Sequence, residues 1–221
     1  MKHIDITVDL ETCALSPNAA VMQIAAVAWD REANQISNLF PKASFVFNMK
    51  IDLRSSWLLG LDFDPKTQKW WTERDKKAKE RLSKDIAYPL EEAMGSFFEW
   101  IDDMKEALDA DHVCLWAQGS DFDIAILRNI CCKMDIKLPI NCHDFRDART
   151  FIAEVANLVF TRESNACLYD HQNIYSNIPD YNEMEPGVAH DALFDANRTS
   201  YAVYYLLKLL KQSITERKAV E

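Results

Sequence analysis

Asp9 and Glu11, one residue apart in the stretch HIDITVDLE, are the first residues whose types and spacing suggest chemistry. In an extended segment residues i and i+2 lie on one face, so both carboxylates point the same way. An apolar strand that ends in two like charges on one face is costly unless a cation compensates. For an isolated pair, solvated charges at a strand-to-loop junction are by a wide margin the better account. Asp123, in LWAQGSDFDIAIL, follows an apolar run and opens a helical pattern. It reads as a helix N-cap, a role that Asp121 fills as well, or as a ligand at the end of a central strand. His190 and Asp195 stand five residues apart in AHDALFDANRTSYAVYYLL, about one and a half helical turns, which is not the i, i+4 pair of a zinc helix. A histidine before a helix is ordinarily a cap or a surface group, whereas an unpaired carboxylate within an apolar helix is expensive.

These residues need elements to hold them. Residues 3–10 alternate with Ile4, Ile6 and Val8 on one face, which predicts a half-buried strand. VMQIAAVAWD predicts a second strand and residues 44–51 a third, the three forming an antiparallel meander. Pro65 opens a charged helical stretch. Residues 89–108 form an amphipathic helix with Leu90, Ala93, Met94, Phe97, Phe98 and Ile101 on its apolar face. A buried strand over 113–117 leads to a helix over 124–134. A short strand near 140–143 precedes a helix over 148–159, and a last helix runs from about 190 to 210. Residues 161–188 are polar, proline-dotted and aperiodic, as in a long loop or lid. A hairpin block followed by strand–helix alternation predicts one α/β domain over residues 1–221, built on a mixed five-stranded sheet with helices on both sides.

Composition narrows the function. The chain has 221 residues, of which 48% are apolar and 11% aromatic, enough for a packed core and unlike a disordered protein. Only four glycines occur, and neither GxGxxG nor a P-loop can be written. The N-terminus carries acids where a signal peptide needs an apolar run, and no stretch is long enough to span a membrane. Six cysteines without CxxC pairing suit buried, reduced thiols in a cytoplasmic protein, with structural zinc a lesser alternative. A net charge of −10 argues against a broad nucleic-acid-coating face. It is compatible with an enzyme that grips one strand end through bound cations. Residues 66–84 run against the trend, with eight basic residues to three acidic ones.

The segments VDLET (8–12), SDFD (120–123) and HDALFD (190–195) together resemble the DEDDh exonuclease superfamily. Its members include proofreading exonucleases of DNA polymerases, RNase T and oligoribonuclease. KWW (69–71), RDART (146–150) and VAHD (188–191) resemble the phage T4-type exonuclease A and bacterial 3′–5′ exoribonuclease-like subgroup. Gln118 stands where the family often has Asn. The resemblance implies a ribonuclease H-like fold and a two-metal-ion 3′–5′ exonuclease. Its Mg²⁺ or Mn²⁺ ions would be held by Asp9, Glu11, Asp123 and Asp195, with His190 as general base. It also implies that Thr12, Ala14 and Leu15 touch the terminal nucleotide. The expected substrate is a single-stranded DNA or RNA 3′ end, and the resemblance leaves monomer and homodimer open.

Trp70 and Trp71 among Lys66, Lys69, Arg74, Lys76 and Lys77 combine stacking surfaces with phosphate-seeking charge. Adjacent helical residues point about 100° apart, so one core indole and one substrate-facing indole are expected. Within Arg146, Asp147, Arg149 and Thr150 an arginine could bind phosphate, but an Arg–Asp pairing across a turn is the more economical account, and neither these residues nor His143 and His171 are assigned a catalytic role. Two other functions compete with the exonuclease. One is a structure-specific endonuclease on the same sheet, against which the motif order and His190 argue. The other is a non-catalytic binding module, which has no need of all five site residues.

Overall fold

The structure is a computed structural model and describes residues 2–32, 45–73, 80, 86–159 and 189–220. The expected lid at 161–188, with His171, lies outside the described residues, as do Arg74, Lys76 and Lys77.

Strands β1 (His3–Thr12), β2 (Val21–Trp29) and β3 (Val46–Ile51) form the expected antiparallel meander. Strand β4 (Ala87–Tyr88) joins β3 in parallel, while β5 (His112–Ala117) and β6 (Phe145–Asp147) continue in parallel from β1. The sheet order is β4-β3-β2-β1-β5-β6, six strands where the sequence suggested five. The added strand has two residues, too few to carry a periodic signal. The last strand also lies further on than expected: residues 142–144 form a 3₁₀ turn, and pairing with β5 starts at Phe145.

Helices cover both faces. On one face, α1 (Leu53–Leu58) and α2 (Pro65–Thr72) lead to α3 (Leu90–Ala107) and α4 (Ala125–Lys133). The inward residues of α3, spaced 90, 93, 94, 97, 101 and 104, pack on Ile4, Ile6, Val8 and Leu10 of β1. On the other face, α5 (Ala148–Val159) and α6 (Ala192–Val220) pack on Trp29 and Trp116. Consequently β1 is buried on both faces, not half-buried as its alternation suggested. Its polar side is satisfied inside: Thr7 accepts from the Trp29 indole at 3.0 Å, and Asp5 accepts from the Trp116 indole at 2.8 Å.

The helix ends are set by local chemistry. Asp64 caps α2 by accepting from the Lys66 amide, with Pro65 at the first helical position. Asp191 accepts from the Phe194 amide at 3.3 Å and caps α6, which starts at Ala192 and leaves His190 in the turn before it. Gln23 of β2 accepts from the Ala192 amide, tying that helix end to the sheet. Among the described residues no helix is long and apolar enough to cross a membrane, and Cys13, Cys114, Cys131, Cys132 and Cys142 are free thiols.

Candidate active site

Asp9 and Glu11 lie on the face of β1 that meets α6, where Asp195 sits one turn into the helix. The β1–β2 register shifts between Glu11 and Thr12, a bulge that bends β1 just past its second carboxylate while pairing resumes at Thr12 and Val21. The third contribution comes from β5. Gly119 follows that strand with φ 117°, a conformation suited to glycine, and the chain turns into a π-helical segment, Ser120–Ile124. A Cβ at Gly119 would also meet the Arg149 guanidinium at 3.1 Å. The turn aims Asp123 back at β1, where its Oδ1 accepts the Leu10 amide at 3.2 Å. Asp123 therefore binds the neighbouring strand instead of acting as the N-cap that its position suggested.

Burial raises the proton affinity of all four carboxylates, and their neighbours raise Asp9 and Glu11 further. Burial, then Asp123, Asp195 and Glu11, holds Asp9 well above the usual carboxylate range. Burial, followed by Asp195, Asp191 and Asp123, pushes Glu11 up to about 9. Burial raises Asp123 to about 7 against the opposing Leu10 amide, and it raises Asp195 against Arg198 and the His190 amide. Donor atoms of Glu11, His190 and Asp195 all lie within 4.8 Å of one another. Asp195 Oδ1 is buried without a hydrogen-bond partner among the described residues, and Arg198 Nη2 approaches it at 2.9 Å as an ion pair outside hydrogen-bond geometry. Crowded, buried oxygen donors, one of them without a hydrogen bond among the described residues, are what a hard divalent cation would satisfy, so these residues fit such a metal.

His190 has φ 66° and donates its backbone N–H to Asp195 Oδ2 at 2.9 Å. Its ring meets Trp70 edge-to-face with centroids 4.8 Å apart, and Trp71 at 6.3 Å. Both indoles, with Glu11, Thr12, Leu15, Lys66 and Phe122, line a cavity of about 390 Å³ that reaches the carboxylate cluster at Glu11. Neither tryptophan belongs to the core, contrary to the expectation of one inward indole. Their 100° separation is absorbed because the two rings stand edge to face, 5.1 Å apart, as one corner of the wall.

Two further expectations change. Ala14 is buried in the core, where its carbonyl accepts from the Thr12 hydroxyl at 2.8 Å, and Leu15 beside it is the exposed residue that lines the cavity. Lys69 points to solvent near Glu73, and Lys66, one turn earlier on α2, occupies the wall.

Arg146 and Arg149 donate to backbone carbonyls, and neither makes the expected ion pair with Asp147 among the described residues. Arg146 donates to the carbonyls of His143 and Phe145, while Asp147 accepts from the Ser120 and Thr150 amides and steadies the π-turn. Gln118 accepts from the Thr199 hydroxyl on α6. Phe122 and Arg198 are the site residues that sequence reasoning passed over. The i, i+3 spacing of Asp195 and Arg198 was the available signal for the second.

Two solved structures share this architecture. Cell-death related nuclease 4 (CRN-4) superposes with a TM-score of 0.59 at 14% identity, over 93% of this chain and 64% of that one. The nuclease domain of 3'hExo, a DEDDh family member bound to rAMP, gives 0.55 at 11% identity, over 94% and 92% of the two chains. The chain thus spans less than two thirds of the length of CRN-4. The fold is the ribonuclease H-like α/β fold of DEDDh nucleases. No curated protein matches the sequence. The sequence profile of the 3′–5′ exoribonuclease Rv2179c-like domain matches residues 4–207, and the chain belongs to that family of nucleases.

Proposed function

We propose that the chain is a metal-dependent 3′–5′ exonuclease that hydrolyses the last phosphodiester bond of single-stranded nucleic acid and releases nucleoside 5′-monophosphates. The observation that carries this reading is the convergence of four carboxylates and His190 beside an aromatic-walled cavity. The cavity suits a chain end that enters base first.

Asp9, Glu11, Asp123 and Asp195 would hold two Mg²⁺ or Mn²⁺ ions. Bound there, the ions would neutralise the scissile phosphate and acidify the attacking water. The protein supplies the rest. Trp70, Phe122 and Leu15 offer flat and apolar surfaces to the terminal base, and Lys66 offers a cation to its phosphate. The His190 imidazole, whose donor atom lies within 4.8 Å of Glu11 and Asp195, takes the proton of the attacking water. Its amide contact with Asp195 and its edge contact with Trp70 hold the ring over the cluster. Attack on the terminal phosphorus leaves a 3′-hydroxyl on the shortened strand, so the next bond can be presented in turn.

The family's description favours RNA as substrate. Time courses on matched 5′-labelled RNA and DNA oligomers, single- and double-stranded, with Mg²⁺, Mn²⁺ or chelator, test both the activity and the sugar. Stepwise shortening with monophosphate release is expected, and Asp9→Ala should lose roughly 10³-fold or more of it. Full activity in that variant, or cleavage of a circular single strand, would overturn the proposal.

A further inference from the structure

The face of β1 that carries Asp9 and Glu11 at one end carries His3 and Asp5 at the other. In the parallel ladder His3 pairs with His112 and Asp5 with Cys114, so four chemically active side chains form a two-by-two patch on one face. The patch lies ~26 Å from Glu11 along β1, at the usual rise of a strand. The two imidazoles stack with centroids 5.9 Å apart and planes 13° from parallel. Donor atoms of His3, His112 and Cys114 lie within 4.8 Å of one another. His3 Nε2 is buried and has no hydrogen-bond partner among the described residues. An orphaned buried nitrogen of this kind is costly to leave unmade.

The surroundings are those of a ligand set. Asp144, from the 3₁₀ turn before β6, brings Oδ1 to 4.0 Å from His112 Nε2. Arg146 donates toward Cys114 Sγ at 3.6 Å, in the manner of the outer hydrogen bonds of metal–sulfur sites, and so opposes the burial that raises the thiol. Arg31, the other nearby cation, has its charge taken up by a two-pronged pairing with Asp5. Two imidazoles, a thiol and a carboxylate match zinc chemistry and not that of Mg²⁺. A tetrahedral zinc site needs ligand atoms ~3.3–3.7 Å apart, so His3, His112 and Cys114 would contract by about 1–1.5 Å and Asp144 would swing in from outside that group.

We infer that His3, His112 and Cys114, closed by Asp144, form a second metal site, for Zn²⁺, which clasps the starting ends of β1 and β5 to the lead-in of β6. It is separate from the oxygen cage in both position and ligand softness. Co²⁺ is the probe that distinguishes the two, because only a sulfur ligand gives a thiolate-to-cobalt band in the near ultraviolet. The chelator-treated full chain should bind one equivalent of Co²⁺ with that band and with tetrahedral visible bands, and Zn²⁺ should bleach both. Cys114→Ser should abolish the band and keep Mg²⁺-dependent nuclease activity. His112→Gln should weaken Zn²⁺ binding at least ~10-fold. Zn²⁺ should raise the Tm of the parent and leave that of Cys114→Ser unchanged. Absence of the band at saturating Co²⁺, or its survival in Cys114→Ser, would refute the site. Because the parent spectrum decides alone, the test stands even if a variant fails to fold.

Discussion

His190 holds a left-handed backbone, φ 66°, that glycine adopts without penalty and that costs other L-residues about 1–2 kcal/mol. What the histidine gains is its edge contact with Trp70, about 0.5–1.5 kcal/mol. Alanine there would keep the strain and lose the contact, whereas glycine would lose the contact and relieve the strain. Chemical denaturation should therefore find His190→Gly more stable than His190→Ala by about 1 kcal/mol, the reverse of their order within a helix. Both variants should lose nuclease activity, since neither carries an imidazole. Equal or greater stability of the alanine variant would show that the turn is not strained.

Helix α2 is fastened to the tip of β1 by two hydrogen bonds: the Asp64 amide to the Cys13 carbonyl and the Trp71 indole to the Thr12 carbonyl, both 2.9 Å. The second is the stay that sets the cavity wall against the carboxylates. Trp71→Phe removes it while keeping an aromatic ring, at a cost of about 1 kcal/mol. The expected kinetic result on short oligomers is a severalfold rise in KM with a smaller change in kcat, and a fall in kcat alone would contradict it. This docking also marks the edge of what the sequence showed. Long periodic elements were legible from their apolar spacing, as α3 and the 148–159 helix demonstrate. So were the motifs around Asp9, Glu11, Asp123, His190 and Asp195, but not the left-handed turn at His190 or the π-helical turn that carries Asp123. The second face of β1 was not, because Asp5 and Thr7 look solvent-facing until the indoles of Trp29 and Trp116 are seen to satisfy them. Nor was the choice of Lys66 over Lys69, which depends on how α2 is rotated about its own axis.

Across the molecule a net charge of −10 is compounded by buried carboxylates that Arg198 and Arg149 offset only in part. Below their ordinary values of 4.5 and 3.8, Glu11 and Asp123 are protonated whether the chain is folded or not, so they cost nothing. As pH rises, the unfolded chain ionises freely while the folded site still holds its protons. Stability therefore falls from about pH 4 upward, and the loss is complete once pH passes about 7 for Asp123 and about 9 for Glu11. In chelator, thermal melting should drop between about pH 5 and about pH 9. Added Mg²⁺ or Mn²⁺ should recover more at the upper end, because binding favours the ionised carboxylates. A flat metal-free profile would mean that the site is better hydrated than its burial indicates.

The ladder between β1 and β5 ends at Thr7 and Trp116, and past it the Leu10 amide is held by the Asp123 carboxylate. One side chain thus stands in for a missing stretch of strand. The exchange of a single proton with heavy water becomes a gauge of that carboxylate. In Asp123→Ala the Leu10 amide should exchange at least ~10-fold faster than in the parent, while Asp123→Asn, which keeps an oxygen acceptor, should slow it again. Unchanged exchange at Leu10 in the alanine variant would show that the amide is protected by something else. The pair of variants would separate the loss of a ligand from the fraying of the strand that presents the other two.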